Sequence, residues 1–384
     1  MHLVIVSPFP PAITGIGQYG YHVTRTIANT GSFSRITVLA GANEDQNNRP
    51  NHLGNAQIEY CWQPGQLKAR HAILSNIKQL NPDIVWFNLG ASIFGKSPLS
   101  NLSGMFTPML VRRMGFPTVV TLHELIAVAD LRALNAPGGI LAPLFADLFT
   151  KVATQVDVVC LTMRHYAEWL SARGVDCVHI PIGAYHEPEL LAEPTTQEFL
   201  FFTTLAPFKG LEILLAAFEN LRTEFPQVQL TIAGAEHARF PNYAHDLKAR
   251  FNGTHNIHWL GKVAEEDVME LFRQAKIVIL PYTASTGSSS VLYQAATWGR
   301  AVVASDLGEN LKLARENDLQ LQFFESGNVK SLQNSIRTLL NSTNLRNEQA
   351  KHNFISIQRV RPDSTGQHYM EAFERALKKR MGQK

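Results

Sequence analysis

KIVILPYTASTGSSSVLYQAATWGRAVVASDLGEN, Lys276 to Asn310, reads as strand, polar turn, helix, glycine and a second apolar strand ending in Ser-Asp. Ile277 to Leu280 form a β-branched run, Pro281 to Ser290 supply turn chemistry, and Val291 to Trp298 carry helix-compatible residues ended by Gly299. This order sets the first N–H groups of a helix, near Ser289, Ser290 and Val291, beside the C-terminal end of a strand. Aligned peptide dipoles give such a terminus about half a positive charge, which suits a phosphate or diphosphate. An ordinary βαβ crossover shares the pattern, so the stretch speaks for α/β architecture before it speaks for a ligand.

The same alternation extends in both directions. Phe199 to Leu205, Gln229 to Ala233, Ile257 to Leu260, Ile277 to Leu280, Ala301 to Ser305 and Leu319 to Phe323 read as parallel strands. Covering helices are expected at Leu211 to Glu224, Ala244 to Phe251, Glu265 to Ala275, Ser290 to Trp298 and Val329 to Leu340. Upstream, Leu3 to Ser7, Ile36 to Ala40, Ile58 to Trp62, Ile84 to Asn88, Thr118 to Leu122 and Val156 to Thr162 form an earlier strand set. Its helices are expected at Tyr19 to Asn29, Leu67 to Leu80, Pro108 to Met114, Leu141 to Ala153 and Tyr166 to Arg173. Between the sets, His179 to Phe199 carries Pro181, Pro188 and Pro194 in a polar stretch, the features of a linker. The expected organisation is two Rossmann-like, doubly wound domains, residues 1–183 and 184–361, facing across a ligand cleft. Residues 362–384 should form a C-terminal helix packing back on the first domain; Gly366 to Lys379 is amphipathic and followed by Arg380.

Bulk properties narrow the classes. A chain of 384 residues exceeds one ordinary core, and 45% hydrophobic with 17% charged residues excludes broad disorder. The net charge of +3, with no basic stripe among exposed aromatics, gives no electrostatic footprint for nucleic acid. Cys61, Cys160 and Cys177 are odd in number and lie in apolar runs, as reduced core thiols of a cytosolic protein do. They show no metal spacing. No apolar stretch reaches the roughly 18 residues of a membrane span, and the chain opens directly on LVIVS, so a soluble or peripheral protein is expected.

Three loops carry candidate chemistry. SPFPPAITGIGQYG follows the first strand, with Gly15 and Gly17 where backbone meets something closely; no acidic residue closes the second strand, which disfavours a dinucleotide. Lys209 ends the turn Thr203 to Gly210, where a lysine can reach a diphosphate, although a solvated turn lysine looks the same. His123 ends the strand Thr118 to Leu122 and is followed by Glu124; a capping histidine is the alternative. His165, His179, His186 and His245 read as surface or linker residues.

TGIG, His123-Glu124, APFKG and ATWGRAVVASD occur in an order that resembles the GT-B glycosyltransferases of the retaining family 4, glycosyl transferases group 1, over nearly the whole chain. The resemblance implies transfer of a sugar from a nucleoside diphosphate donor to a glycan or lipid-linked saccharide acceptor, with retention and without a metal or other cofactor. It places His123 beside the transferred sugar and Lys209 on the diphosphate, as catalytic residues. Gly15 and Gly17 complete the phosphate cradle, and Thr204, Thr286, Gly287, Ser288, Ser289, Ser290, Val291 and Gln294 form the rest of the donor site. Three positions depart from the family pattern. Thr204 stands where an arginine is usual, and Thr286 and Gln294 stand where two glutamates separated by seven intervening residues are usual. A glutamate accepts from two ribose hydroxyls, whereas a glutamine amide offers one carbonyl oxygen and a donor. The added hydroxyls at the helix start offset a lost charge only in part. An inactive nucleotide-sugar binding subunit therefore stands as the alternative, ahead of an epimerase, which would need more carboxylates than Glu124. On the acceptor side, Ser92 to Met114 and Leu131 to Phe149, with Arg112, Arg113, Arg132 and Lys151, suit either core-facing helices or contact with an anionic membrane face.

Overall fold

The chain builds two units, one of residues 1–182 with Gly287, Ser288 and the segment from Pro362, the other of Gly183–Ser285 and Ser289–Arg361, in a computed structural model. The structure describes residues 1–11, 14–42, 49–66, 68–95, 97–134, 142–237, 239–285 and 287–382.

Unit 1 runs β1 (His2–Ser7), α1 (Gly15–Asn29), β2 (Arg35–Gly41), β3 (His52–Leu53), β4 (Ala56–Trp62), α2 (Ala69–Leu80), β5 (Ile84–Leu89), α3 (Pro98–Arg113), β6 (Thr118–Leu122), α4 (Ala142–Ala153), β7 (Val158–Leu161), α5 (Arg164–Ser171) and β8 (Cys177–His179). The sheet order is β3-β4-β2-β1-β5-β6-β7-β8, parallel except for β3. Helices on both faces bury β1, β5, β6 and β7 almost completely, which is why these strands are near-continuous apolar runs. The order reverses between β1 and β5, the switch point of a doubly wound sheet.

In unit 1 two helices begin well before the expected residue, and in unit 2 the helices Gly308–Glu316 and Thr343–Ile357 lie where none is expected. The glycines expected in a loop lie inside α1: Thr14 caps the helix, its hydroxyl accepting from Gly17 N at 2.9 Å, so Gly15 opens the first turn. α3 begins ten residues before the expected Pro108, which sits inside the helix. Proline normally ends a helix, but Ser97 caps this one, and Gly104 packs so tightly that a Cβ would meet the Phe94 ring at 2.1 Å.

Unit 2 runs β9 (Glu198–Phe202), α6 (Leu211–Glu224), β10 (Gln229–Ala233), α7 (Tyr243–Arg250), β11 (Ile257–Gly261), α8 (Glu265–Gln274), β12 (Ile277–Leu280), α9 (Ser290–Thr297), β13 (Ala301–Ser305), α10 (Gly308–Glu316), β14 (Gln322–Phe324), α11 (Val329–Asn341) and α12 (Thr343–Ile357). Its all-parallel order, β11-β10-β9-β12-β13-β14, is the 3-2-1-4-5-6 Rossmann order with the switch point between β9 and β12. Phe199, Phe201, Ile277, Ile279 and Val303 of the sheet pack with Leu214, Phe218, Leu221, Leu332 and Ile336 of α6 and α11 in one core. The expected linker does not run free: Glu189 N bonds Thr297 O, Arg300 Nη1 bonds Ala192 O at 3.0 Å, and Arg346 binds Glu193. Its prolines suit a non-regular strap, and its carbonyls and carboxylate take unit 2's cations.

α13 (Pro362–Met381) returns to unit 1, burying Tyr369, Ala372, Phe373 and Ala376. Tyr369 Oη bonds Tyr19 Oη at 2.8 Å and Thr121 Oγ1 at 2.7 Å. Near the helix end, the fully buried Asp157 carboxylate accepts from Thr118 N, Arg112 Nε and Arg380 Nε at 2.9, 3.0 and 3.2 Å. Arg112, one of the cations that suited either a basic helix edge or an anionic membrane face, is thus engaged within the unit. Cys61, Cys160 and Cys177 are free thiols. Among the described residues no helix is long and apolar enough to cross a membrane.

Candidate functional site

At the carboxyl ends of β1, β5 and β6, three polar side chains close a chain of directed hydrogen bonds. Ser7 Oγ donates to Pro8 O at 2.6 Å, leaving its lone pairs to accept from Asn88 Nδ2 at 2.9 Å. Asn88 Nδ2 also donates to Ile16 O at 2.8 Å, and a carbonyl partner requires that this end of the amide be the NH2. Asn88 Oδ1 then faces His123 Nε2 at 2.6 Å. His123 is buried, its backbone N–H bonds Leu89 O, and the Tyr19 ring meets its imidazole edge-to-face at 4.7 Å. Burial depresses the imidazole pKa from 6.5 to about 3, so His123 is neutral.

The neighbours of this cluster leave little room. A Cβ at Gly20 of α1 would fall 2.3 Å from Ser7 Oγ and 2.9 Å from Asn88 Nδ2, so glycine is what lets the helix close on the pair. Gly15, by contrast, has nothing within 4 Å of a would-be Cβ, and Gly17 has spent its N–H on Thr14. Glu124 accepts from Ala91 N at 3.0 Å, and its backbone forms an antiparallel bridge with Gly287. Gly20 reads from sequence as the third glycine of the loop's fingerprint spacing, whereas Asn88 carries no such signal. A strand-ending asparagine reads as turn chemistry, and its histidine partner lies 35 positions away.

In unit 2, Lys209 ends a short 3-10 helix, Pro207–Lys209, at the carboxyl end of β9. Its ammonium lies 3.9 Å from the centroid of the Tyr282 ring, a cation–π contact that presents the charge beside the end of β12. Gly210 at φ +70° is required there, since a Cβ would fall 1.8 Å from Pro281 O. Thr204 is half-buried on the adjoining turn. The sequence reading also passed over His237 and Arg239. His237 meets Phe208 edge-to-face, and its pKa is lowered by burial and by the nearby charges of Arg239 and Lys209. A second cation therefore acts in the same locality as Lys209, in a chain that carries Thr204 where the expected arginine is missing.

The eight-residue α9 starts at Ser290, with Ser289 at the N-cap and no side-chain cap bond. Ser288 Oγ, Ser289 Oγ and Gln294 Nε2 are buried without a hydrogen-bond partner, an arrangement normally filled by a polar ligand or water. Ser290 is engaged with Tyr185, and Val291 N belongs to the first turn. Thr286, the remaining expected donor residue, lies outside the described residues. Chemically, this end of unit 2 offers the first N–H groups of α9, the Ser289 hydroxyl, the Gln294 amide and Lys209, a set suited to an anion carrying hydroxyls.

Comparisons with known proteins agree with this construction. Residues 186–354 match the glycosyl transferases group 1 family. A phosphatidyl-myo-inositol mannosyltransferase of Mycolicibacterium smegmatis is 28% identical over 210 residues, 53% of this chain and 50% of that protein. The chain thus spans about half the length of that curated relative. Among solved structures, sucrose-phosphate synthase from Thermosynechococcus elongatus superposes with a TM-score of 0.76 at 14% identity, covering 97% of this chain and 98% of that one. HepE of Anabaena in complex with UDP-glucose gives 0.74 at 16% identity, covering 97% and 99%. At such identities these two establish the fold alone. The chain has the GT-B fold, and its residues 186–354 match the glycosyl transferases group 1 family.

Proposed function

We propose that the chain is a retaining, metal-independent glycosyltransferase that moves a sugar from a nucleoside diphosphate to a saccharide or lipid-linked acceptor. The observation that carries the reading is the start of α9, where Ser288 Oγ, Ser289 Oγ and Gln294 Nε2 are buried without partners beside free helix N–H groups. On this reading the diphosphate takes the N–H groups of Ser289 to Val291 and the two serine hydroxyls, while Lys209 neutralises its charge. Gln294 reaches the ribose, and His123 orients the transferred sugar. The bond from the anomeric carbon to the diphosphate breaks, the acceptor oxygen bonds that carbon, and the nucleoside diphosphate leaves with the acceptor's proton. The named relatives support the class, since the mycobacterial enzyme is a mannosyltransferase and the HepE complex holds UDP-glucose.

Titration calorimetry against UDP, GDP, ADP, dTDP and CDP tests the donor site. One nucleotide bound tightly by the native chain and lost in Lys209→Ala is expected; no binding by any of them sinks the reading. Gln294 and Thr204 specifically favour the second reading, a nucleotide-sugar binding subunit without turnover, because each replaces a charged family residue. Donor consumption in the presence of acceptor separates the two.

For the acceptor we infer a membrane face. α4 exposes Leu144, Phe145 and Leu148 at 69, 53 and 43%, with Lys151 one turn on, the pattern of a helix resting on a lipid interface. Flotation with anionic vesicles is expected to carry the native chain and to lose a Leu144→Ser, Phe145→Ser double variant. A chain that stays with the soluble fraction at low salt points to a soluble acceptor.

A further inference from the structure

We propose that Asn88 is a positioning residue that holds His123 as the neutral Nε2–H tautomer, so that Nδ1 offers its lone pair to a hydroxyl of the transferred sugar. This rests on the reading of His123 as the residue beside that sugar.

The hydrogen-bond polarity follows step by step from groups with a fixed role. Pro8 O and Ile16 O can only accept, so the Ser7 hydroxyl proton and one Asn88 amide proton are committed to them. The Ser7 oxygen can then only accept from Asn88, which takes the second amide proton. Asn88 Oδ1 is the one group of the amide left, and it can only accept. His123 Nε2, 2.6 Å away, must therefore carry a proton. The imidazole is buried and cut off from solvent at this end of the strands and is not cationic, so Nδ1 is bare. No hydrogen bond to Nδ1 occurs among the described residues. Tyr19 meets the ring edge-to-face and holds its plane, and Gly20 lets α1 approach closely enough for Ile16 to receive the Asn88 proton.

A bare, neutral nitrogen accepts from a hydroxyl and repels a carboxylate or phosphate oxygen. The geometry thus gives His123 a ligand class: an uncharged, hydroxylated group such as a sugar. It also separates His123 from a role as a cationic electrophile.

Long-range proton–nitrogen correlation spectra of protein labelled with 15N-histidine test this directly, with His123→Gln identifying its signals among the 14 histidines. Expected for the native chain is a protonated Nε2 and a bare Nδ1, unchanged between pH 5 and 8. In Asn88→Ala the signals should shift toward a tautomer mixture, with kcat/KM about tenfold lower, the loss of one hydrogen bond's worth of orientation. Asn88→Asp keeps an acceptor at Nε2 but adds a charge, so the Nε2–H tautomer should persist while the imidazole begins to titrate within pH 5–8. Ser7→Ala should leave the tautomer as it is, because the Asn88–His123 bond does not require the serine. A native spectrum with protonated Nδ1 overturns the proposal, as does an Asn88→Ala spectrum identical to the native one. Should Asn88→Ala fail to fold, the native and Asn88→Asp spectra still decide. Native protein that turns over no donor removes the transferase reading and the sugar as Nδ1's partner, yet leaves the tautomer assignment to its own spectrum.

Discussion

Gly287 backs directly onto His123: a Cβ at Gly287 would fall 2.2 Å from the His123 carbonyl oxygen, while Glu124 next to it pairs with the Gly287 backbone. The glycine is therefore a spacer under the histidine as much as a member of the serine-rich turn. Gly287→Ala must push the backbone apart there and is expected to cost about 1 to 3 kcal/mol, as overpacking does. Thermal unfolding should show a Tm lower by several degrees, together with reduced turnover. Gly15→Ala is the contrasting variant, because its Cβ meets nothing and alanine favours the helix. Its Tm should hold or rise; a fall in nucleotide affinity without a fall in Tm would identify Gly15 as a close neighbour of the ligand.

The burial of His123 sets a pH dependence. Its folded pKa of about 3 lies below the ordinary value of 6.5, so the unfolded chain binds more protons than the native one between these values. The stabilisation from keeping His123 neutral is complete above pH 6.5 and is lost as pH falls from there towards 3. Denaturant midpoints measured from pH 7 to 4 should fall more steeply for the native chain than for His123→Gln, which keeps an amide donor but cannot charge. Parallel slopes would mean that His123 protonates without penalty and that its bond to Asn88 is weak.

Much of this architecture is legible because a buried parallel strand has few ways to be written. VIL-rich runs such as Gln229–Ala233, Ile277–Leu280 and Ala301–Ser305 coincide with β10, β12 and β13 residue for residue. α12 escaped notice for the opposite reason: its buried face is polar. Gln349 accepts from Val302 N at 2.6 Å, Asn353 bonds both N and O of Gln320, and Ser356 donates to Asp318 O. A helix that docks by side-chain amides on strand backbones leaves no apolar stripe to find. The candidate site divides similarly. Lys209, His123 and the serine turn stand out by residue type and strand position, whereas Asn88 and Arg239 acquire meaning only through partners distant in sequence.

The end of α13 is tied to unit 1 by a wholly buried carboxylate. Asp157 is wholly buried between Arg112, 37% exposed, and Arg380, 21% exposed. Removing a partner from a buried ion pair costs roughly 3 to 5 kcal/mol when the remaining charge has no water. Here both guanidiniums retain some solvent, so Asp157→Ala should cost less, about 2 kcal/mol. The expected signature is a lower denaturant midpoint and faster proteolysis within residues 362–381, with nucleotide binding by unit 2 unchanged. Equal destabilisation by Arg375→Ala, whose Asp176 partner is more exposed, would show that the helix is held by diffuse charge.

Gln294 offers the clearest separation of an active from a degenerate donor site. It is 3% exposed with Nε2 unpartnered, so the position accepts a glutamate sterically but buries its charge. Gln294→Glu should therefore lower the Tm of the ligand-free chain. Once a nucleoside diphosphate is bound, the carboxylate can accept from both ribose hydroxyls, and charged bonds are worth roughly 1.5 to 3 kcal/mol against about 1 for neutral ones. Affinity for the preferred ribonucleotide should rise by about tenfold, and discrimination against its 2′-deoxy form should rise with it. A variant that binds no better than the native chain, with equal affinity for ribo and deoxy forms, would move the ribose away from Gln294 and leave the start of α9 with the diphosphate alone.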